Sequence, residues 1–332
     1  MQDSMLPQPI SLKKIMLEPA QPMVSYELIS PRTEVPEELE SQIALVREIA
    51  GSVHAINVPE IRTESRPGDQ RKRFPERIEP RVFAQQIQAA APVAAVVNRI
   101  TVRQPWEAQR QWLRETYQQF GIRHLILVGA ESHRTQHPGP SVSEMADMVS
   151  QEGLELLLGG ITIPSRSREV ERIRQKYEHG LRFFSSQVLL DSNDIVDLIQ
   201  GLNGLDVRIV LSFAPIYSLR DLEFMRWLGV DIPQNIPWTI AQSDASGAAA
   251  ERSIALALKI LTDIFDNLPA HPPALGINVE SVIRRNLALS RRMLHEVGDF
   301  YRQLVQARYT PAAAHRAIAP ASGPPQSHSQ QQ

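Results

Sequence analysis

A single carboxylate interrupts the apolar run Met23-Val24-Ser25-Tyr26-Glu27-Leu28-Ile29, and that isolation makes Glu27 a candidate for acid–base chemistry. An ionised carboxylate withdrawn from water is either paired or kept protonated by a raised pKa. The protonated state suits a general acid. The plainer alternatives are a pairing with one of the many arginines, or an outward position on an edge strand. Gln187 is a second candidate, because it lies in the apolar segment Phe183-Phe184-Ser185-Ser186-Gln187-Val188-Leu189-Leu190-Asp191. A buried amide needs partners, which are either neighbouring backbone or the edge of a flat heterocycle. Glu131, His133 and His137 share one loop and carry metal-ligand chemistry. Pro138-Gly139-Pro140 follows and the segment is no obvious helix, so the two imidazoles need not converge; no metal site is assigned, and a metal-dependent lyase or hydrolase using these three residues stands as a third reading. Arg71-Lys72-Arg73, with Arg62, Arg66, Arg77 and Arg81, offers either a grip on an anionic substrate tail or a solvated loop. Arg168, Arg172 and Lys176 recur every four residues, as a phosphate clamp or a wet helix face screened by Glu169 and Glu171.

The elements that must position these residues alternate along the chain. Strand-like runs fall at Met23 to Ile29, His54 to Pro59, Val93 to Val102 and Ile122 to Gly129, then at Leu154 to Ile163, Leu181 to Leu190, Val207 to Pro215 and Ala274 to Val279. Helices are expected to start near Pro36, Pro80, Pro105, Ser141, Ser167, Ser192, Ser218 and Ser281, with an extra one over Ala248 to Asn267. Eight strand–helix pairs in about 300 residues favour a closed single-domain (β/α)8 TIM barrel over an open doubly wound sheet. No Gly-x-Gly-x-x-Gly follows the first strand, which weighs against a dinucleotide-binding open sheet. The expected division is a polar leader over residues 1–20, the barrel over 21–308 and a disordered tail over 309–332. In such a barrel the reacting groups sit at the carboxyl ends of the strands. Glu27, Asn57, Glu60, Asn98, Glu131, Gln187, Asp191, Asn278 and Glu280 all fall near those ends.

Composition excludes more than it assigns. A formal charge of -2 gives no global field for nucleic acid or an anionic membrane surface. The absence of cysteine removes disulfides, thiolate metal sites and cysteine nucleophiles, and fits the reducing cytoplasm. No apolar run reaches the ~20 residues of a membrane helix, and the start lacks the apolar core of a signal peptide. No Gly-x-Ser-x-Gly elbow or phosphate loop is present. Self-association into a homo-oligomer is left open.

Taken in order, several segments resemble the methylenetetrahydrofolate reductase family over roughly residues 23–290. Tyr26-Glu27-Leu28-Ile29-Ser30-Pro31-Arg32 is similar to that family's Phe-Glu-Phe-Phe-Pro-Pro-Arg segment. Gly121-Ile122-Arg123-His124 through Glu131 is similar to its Gly-Ile-Arg-His strand ending in Arg-Gly-Asp. Phe183 to Asp191 resembles Thr-Gln-Phe-Phe-Phe-Asp, while Ala214-Pro215-Ile216 and Leu228-Gly229-Val230-Asp231-Ile232-Pro233 look like its Pro-Ile and Gly-Val-x-Ile-Pro segments. The resemblance implies a barrel that reduces methylenetetrahydrofolate to methyltetrahydrofolate with NAD(P)H, usually through FAD. It implies that Glu27 is the catalytic acid and that Gln187, Glu131 and Asp191 meet the folate. Gly129, Glu169, Arg172 and Lys176 would then meet the cofactor. The flavin region departs from the pattern: Gly160-Ile161-Thr162-Ile163-Pro164-Ser165-Arg166 stands where a His-Pro loop is expected, and Arg172 takes the place of an asparagine. That departure allows direct hydride transfer from NAD(P)H, or a pterin-binding barrel in a one-carbon complex that performs no reduction.

Overall fold

The computed structural model describes residues 12–61, 75–130, 136–241, 248–281, 283 and 286–310. Eight parallel strands follow one another around a closed barrel: β1 (Val24–Glu27), β2 (Ala55–Val58), β3 (Ala94–Ile100), β4 (His124–Val128), β5 (Leu157–Thr162), β6 (Leu181–Val188), β7 (Arg208–Phe213) and β8 (Ala274–Glu280). β8 bonds back to β1, with Val24 opposite Ile277 and Glu27 opposite Glu280. The expected (β/α)8 barrel is therefore the fold, and strands buried on both faces explain the near-continuous apolar runs. All six residues of β7 are buried, the arginine included.

The strands are separated by α2 (Pro36–Ile49), α3 (Pro80–Ala90), α4 (Trp106–Gln118), α5 (Val142–Gln151), α6 (Glu169–Glu178), α7 (Asn193–Gly201) and α8 (Leu219–Trp227). Prolines 36 and 80 open their helices at the first turn, where the missing N–H has no helical partner to lose. Ser141 caps α5 in a reciprocal box with Glu144, and the Ser218 hydroxyl accepts from the Asp221 amide at the start of α8. Between β7 and β8 the chain adds α9 (Asn235–Ala241), which sequence reading did not anticipate, and the expected extra helix, α10 (Ala248–Asp266). The closing helix, α11 (Leu287–Tyr309), starts six residues later than Ser281. The reason lies in Asn286, whose amide donates to the Pro215 carbonyl and the Asp221 carboxylate, tying the chain to the β7 loop before it can coil. The proposed disordered tail lies, beyond Thr310, outside the described residues.

Two cores result from the alternation of side chains along each strand. The outer one fills the space between sheet and helices, with Tyr26, Val97, Leu211 and Tyr301 among its members. The inner one fills the barrel with Met23, Ala55, Ala94, Val96, Ile126, Phe183 and Val210, and is closed from below by Leu12 and Met16. These last two flank or belong to α1 (Lys13–Met16), so the described part of the leader plugs the amino-terminal end of the barrel.

The plug is held by two buried side chains. Arg208 donates to the carbonyls of Met16 (2.8 Å), Ile15 (2.6 Å), Glu18 (2.8 Å), Gln21 (3.1 Å) and Leu275. His124 accepts from the Leu12 amide through Nε2 at 3.2 Å, which leaves the Nδ1 proton for the Ala95 carbonyl. Burial pushes the His124 pKa down to about 4, so the ring is neutral around pH 7.

The barrel interior closes only because β5 carries Gly159. A Cβ at that position would stand 2.4 Å from the Phe183 ring on β6. Gly159→Ala is expected to destabilise the protein by about 1–3 kcal/mol through overpacking, read as a lower urea midpoint. Phe183→Leu in the same chain should recover part of the loss. An unchanged midpoint for the single variant would show that the ring moves aside freely.

Candidate active site at the carboxyl ends of the strands

Glu27 is the last residue of β1 and has Asn57 of β2 on one side and Glu280 of β8 on the other, in direct register. Tyr26 turns outward, where its hydroxyl meets Ser290 of α11 at 2.6 Å, so Ser25 and Glu27 face the barrel axis. Asn57 Nδ2 donates to Glu27 Oε2 at 2.7 Å. The paired-arginine alternative for Glu27 does not occur among the described residues. Burial holds the Glu27 carboxyl well above the usual carboxylate range, the Glu280 charge raises it further, and the Asn57 hydrogen bond opposes both. Glu280 is itself raised to about 7 by burial, against hydrogen bonds from Ser212 and Asn278.

Beneath the two carboxyls lies a polar layer where barrels of this kind usually stack branched apolar side chains. Ser25 Oγ donates to Asn278 Oδ1 at 3.0 Å, and Ser185 and Ser212 hydroxyls lie 3.4 Å apart. Ser25, Asn57, Ser185 and Asn278 line a small void of about 10 Å³ with Met23, Val96, Ile126, Phe183 and Val210. Asn57 Oδ1 and Asn98 Oδ1 are buried without a hydrogen-bond partner. Unpaired buried acceptors are costly, so these two oxygens mark where a donor from outside the chain would fit.

Gln187 lies three strands away, on β6. Its Oε1 accepts from the Val188 amide at 3.1 Å, and its side chain lines a cavity of about 40 Å³ with Ser165, Asp191, Asp194 and Asp231. Asp191 accepts from the Asn193 amide at 3.0 Å and so steadies the start of α7. A larger cavity, about 500 Å³, opens beside the ends of β2 and β3 and takes in Arg77, Arg81 and Asn98. Arg81 there stacks on Trp112 and Phe120, at 4.8 and 4.6 Å from the ring centres, and Arg99 pairs with Glu60 at 3.3 Å. Residues 62–74 of the basic cluster, and Glu131 with His133, lie outside the described residues; His137 is exposed.

The positions assigned to a flavin are engaged otherwise. Glu169 Oε1 accepts from the Thr162 hydroxyl at 2.9 Å and the Ile163 amide at 3.2 Å, closing the β5–α6 turn. Lys176 Nζ donates to the Ile161 carbonyl at 3.2 Å, and Arg172 lies 4.0 Å from Glu169. Gly129 abuts Val142, whose Cγ2 would be 3.2 Å from an added Cβ. Glu169 and Lys176 thus serve the turn and the strand behind them, while Glu169 Oε2 is buried with no hydrogen-bond partner.

The facing carboxyls were missed as a pair in the sequence, although both residues stood among the strand-end candidates. Their signal is register: each ends its strand, and β1 and β8 become neighbours only when the barrel closes. Arg208 was also missed, although an arginine opening the apolar run Val207 to Pro215 was visible.

These features define a (β/α)8 barrel whose mouth carries a half-buried carboxyl pair over a polar floor. No family model and no curated protein matches the chain. Among solved structures, an uncharacterised protein from Clostridium thermocellum that binds two copies of 5-methyl-5,6,7,8-tetrahydrofolic acid superposes with a TM-score of 0.64 at 18% identity, covering 88% of this chain and 99% of its own. Tryptophan synthase from M. tuberculosis gives a TM-score of 0.49 at 12% identity, covering 85% of this chain and 93% of its own. At these identities the likeness to the first is one of fold. No described helix is long and apolar enough to cross a membrane, and no three potential metal ligands cluster among the described residues.

Proposed function

We propose that this chain is a folate-binding barrel that reduces 5,10-methylenetetrahydrofolate to 5-methyltetrahydrofolate, with NAD(P)H as hydride source and Glu27 as general acid. The observation that carries the reading is the Glu27 carboxyl, facing the barrel mouth, with its pKa held well above the usual carboxylate range by burial and by the Glu280 charge. In the step it serves, the Glu27 O–H bond breaks and a proton reaches a ring nitrogen. The bond from that nitrogen to the methylene carbon then opens, its electron pair going to the nitrogen. The electrophilic iminium left on the other nitrogen takes the hydride and becomes the methyl group. Gln187 orients the pterin from β6, and Asp191 follows the same strand; the folate contact that the resemblance implies for Glu131 falls on a residue outside the described ones. The C. thermocellum protein of the same fold binds the product of this reaction, which supports the choice of ligand class.

A second reading is a folate-binding barrel that acts in a one-carbon complex without reduction. The engagement of Glu169 and Lys176 in the β5–α6 turn favours it, because those side chains are the ones a flavin would need. For that reason FAD is assigned no step.

One preparation separates the readings. The purified protein is expected to bind 5-methyltetrahydrofolate in calorimetry and to oxidise NADH or NADPH only when methylenetetrahydrofolate is added. Folate binding with no oxidation of either nucleotide selects the second reading. Failure to bind either folate overturns both. An absorbance spectrum of the same sample reports whether a flavin is carried.

A further inference from the structure

We propose that Glu27 and Glu280 act as one acid holding a single shared proton, with Glu280 as the positioning residue that keeps Glu27 protonated. This deepens the reductase reading and rests on it only for the use made of the proton. The geometry comes first. The two residues end adjacent parallel strands in direct register, and both side chains face the axis of the barrel. Residues directly opposite across a sheet lie side by side, so two negative charges would face each other at close range with little water between them. Sharing one proton relieves that repulsion, as in any close carboxyl dyad.

The surroundings reinforce sharing. From β2 the neighbour is Asn57, from β7 Ser212, and from within β8 Asn278, all neutral. Other described charges at this end of the barrel are engaged elsewhere: Glu60 and Arg99 pair with each other beside β2 and β3, Arg32 pairs with Glu38, Arg81 with Glu79 and Glu115, and Asp191 steadies α7. Arg208 and His124 lie at the opposite end, committed to the plug. No described cation neutralises the pair. The floor is also unfinished on its ligand side: Asn57 and Asn98 are 5% and 8% exposed, yet each has a side-chain oxygen without a donor. A bound molecule bearing N–H groups would complete it directly beside the dyad.

The consequence for turnover is a proton cycle. Glu27 gives its proton to the substrate nitrogen and becomes a carboxylate; the pair then takes the next proton and returns to its singly protonated state. Glu280 acts on Glu27, its register neighbour, rather than on the reacting atoms.

The test follows the proton directly. With 13C-labelled glutamate carboxyls, NMR titration of the folate-free protein should show two coupled signals, one of them titrating near pH 7. In Glu280→Gln the Glu27 midpoint should fall by at least one pH unit, a tenfold or greater fall in its proton affinity. Stability gives a second readout. A carboxyl whose folded pKa lies above its unfolded value favours folding at low pH, and that contribution is lost as pH rises from about 4.5 through about 7. Urea midpoints of the native protein should therefore decline across this window, and Glu280→Gln should flatten the decline. An unmoved Glu27 midpoint in Glu280→Gln overturns the proposal. If that variant does not fold, the native titration decides: two independent carboxyls with midpoints near 4.5 overturn it as well. Neither measurement uses folate or NAD(P)H, so a protein with a shared proton and no reductase activity would refute the proposed reaction and leave the dyad standing.

Discussion

Glu27→Gln is expected to lower methylenetetrahydrofolate-dependent NAD(P)H oxidation by about 10²- to 10⁴-fold, the range for loss of a positioned general acid. The amide keeps the size of the side chain and can still hydrogen-bond Asn57, so folding and 5-methyltetrahydrofolate binding should change little. The loss should therefore appear in kcat and kcat/KM together, with KM nearly constant, because the missing interaction belongs to the transition state. Removing a carboxyl held away from water also removes a source of strain. The variant is expected to be at least as stable as the native protein at pH 7 and above. A rate within threefold of native would remove Glu27 from the chemistry. A large rise in KM alone would make it a binding residue.

The second large effect concerns the other end of the barrel. Arg208→Met should destabilise the protein by at least about 3 kcal/mol, because it strips donors from carbonyls that have been withdrawn from water, each orphan costing about 1–3 kcal/mol. Methionine fills much of the volume and so isolates the hydrogen bonds from packing. Arg208→Lys should recover only part of the stability, since one ammonium cannot reach every carbonyl that the planar guanidinium fork spans. The segment around α1 should become the first site of proteolytic cleavage in Arg208→Met, since its carbonyl anchors are gone while the strands remain paired. Urea unfolding and limited proteolysis, run in parallel, check both statements. A loss under about 1 kcal/mol would show that Leu12 and Met16 hold the plug by burial alone.

Gln187 and Asp191 illustrate how far a strand-end position can be read. Both were placed at the mouth by counting strands, and both are at the mouth. Yet Gln187 bonds the next backbone amide and Asp191 the start of α7, local uses that no pattern of residue types distinguishes from ligand contacts. Glu169 and Lys176 show the same limit more sharply. Helical spacing gave them a common face, and only the packing of α6 against β5 revealed that they serve the Thr162–Ile163 turn and the Ile161 carbonyl.

The sequence by itself determined the barrel, since eight apolar runs, separated by helices with readable proline and serine starts, leave few ways to bury both faces of a parallel sheet. It also placed Glu27 late in the first strand, because the apolar run and the following Ser30-Pro31 are local properties. Tertiary structure alone decided what Glu27 faces. Glu280 is 253 positions away along the chain, and the two meet because closing the barrel makes the last strand a neighbour of the first. The same closure brings Arg208 beneath residues 15–21. Both contacts depend on register across a seam, which periodicity along one chain cannot express, and the acidity of Glu27 depends on that seam.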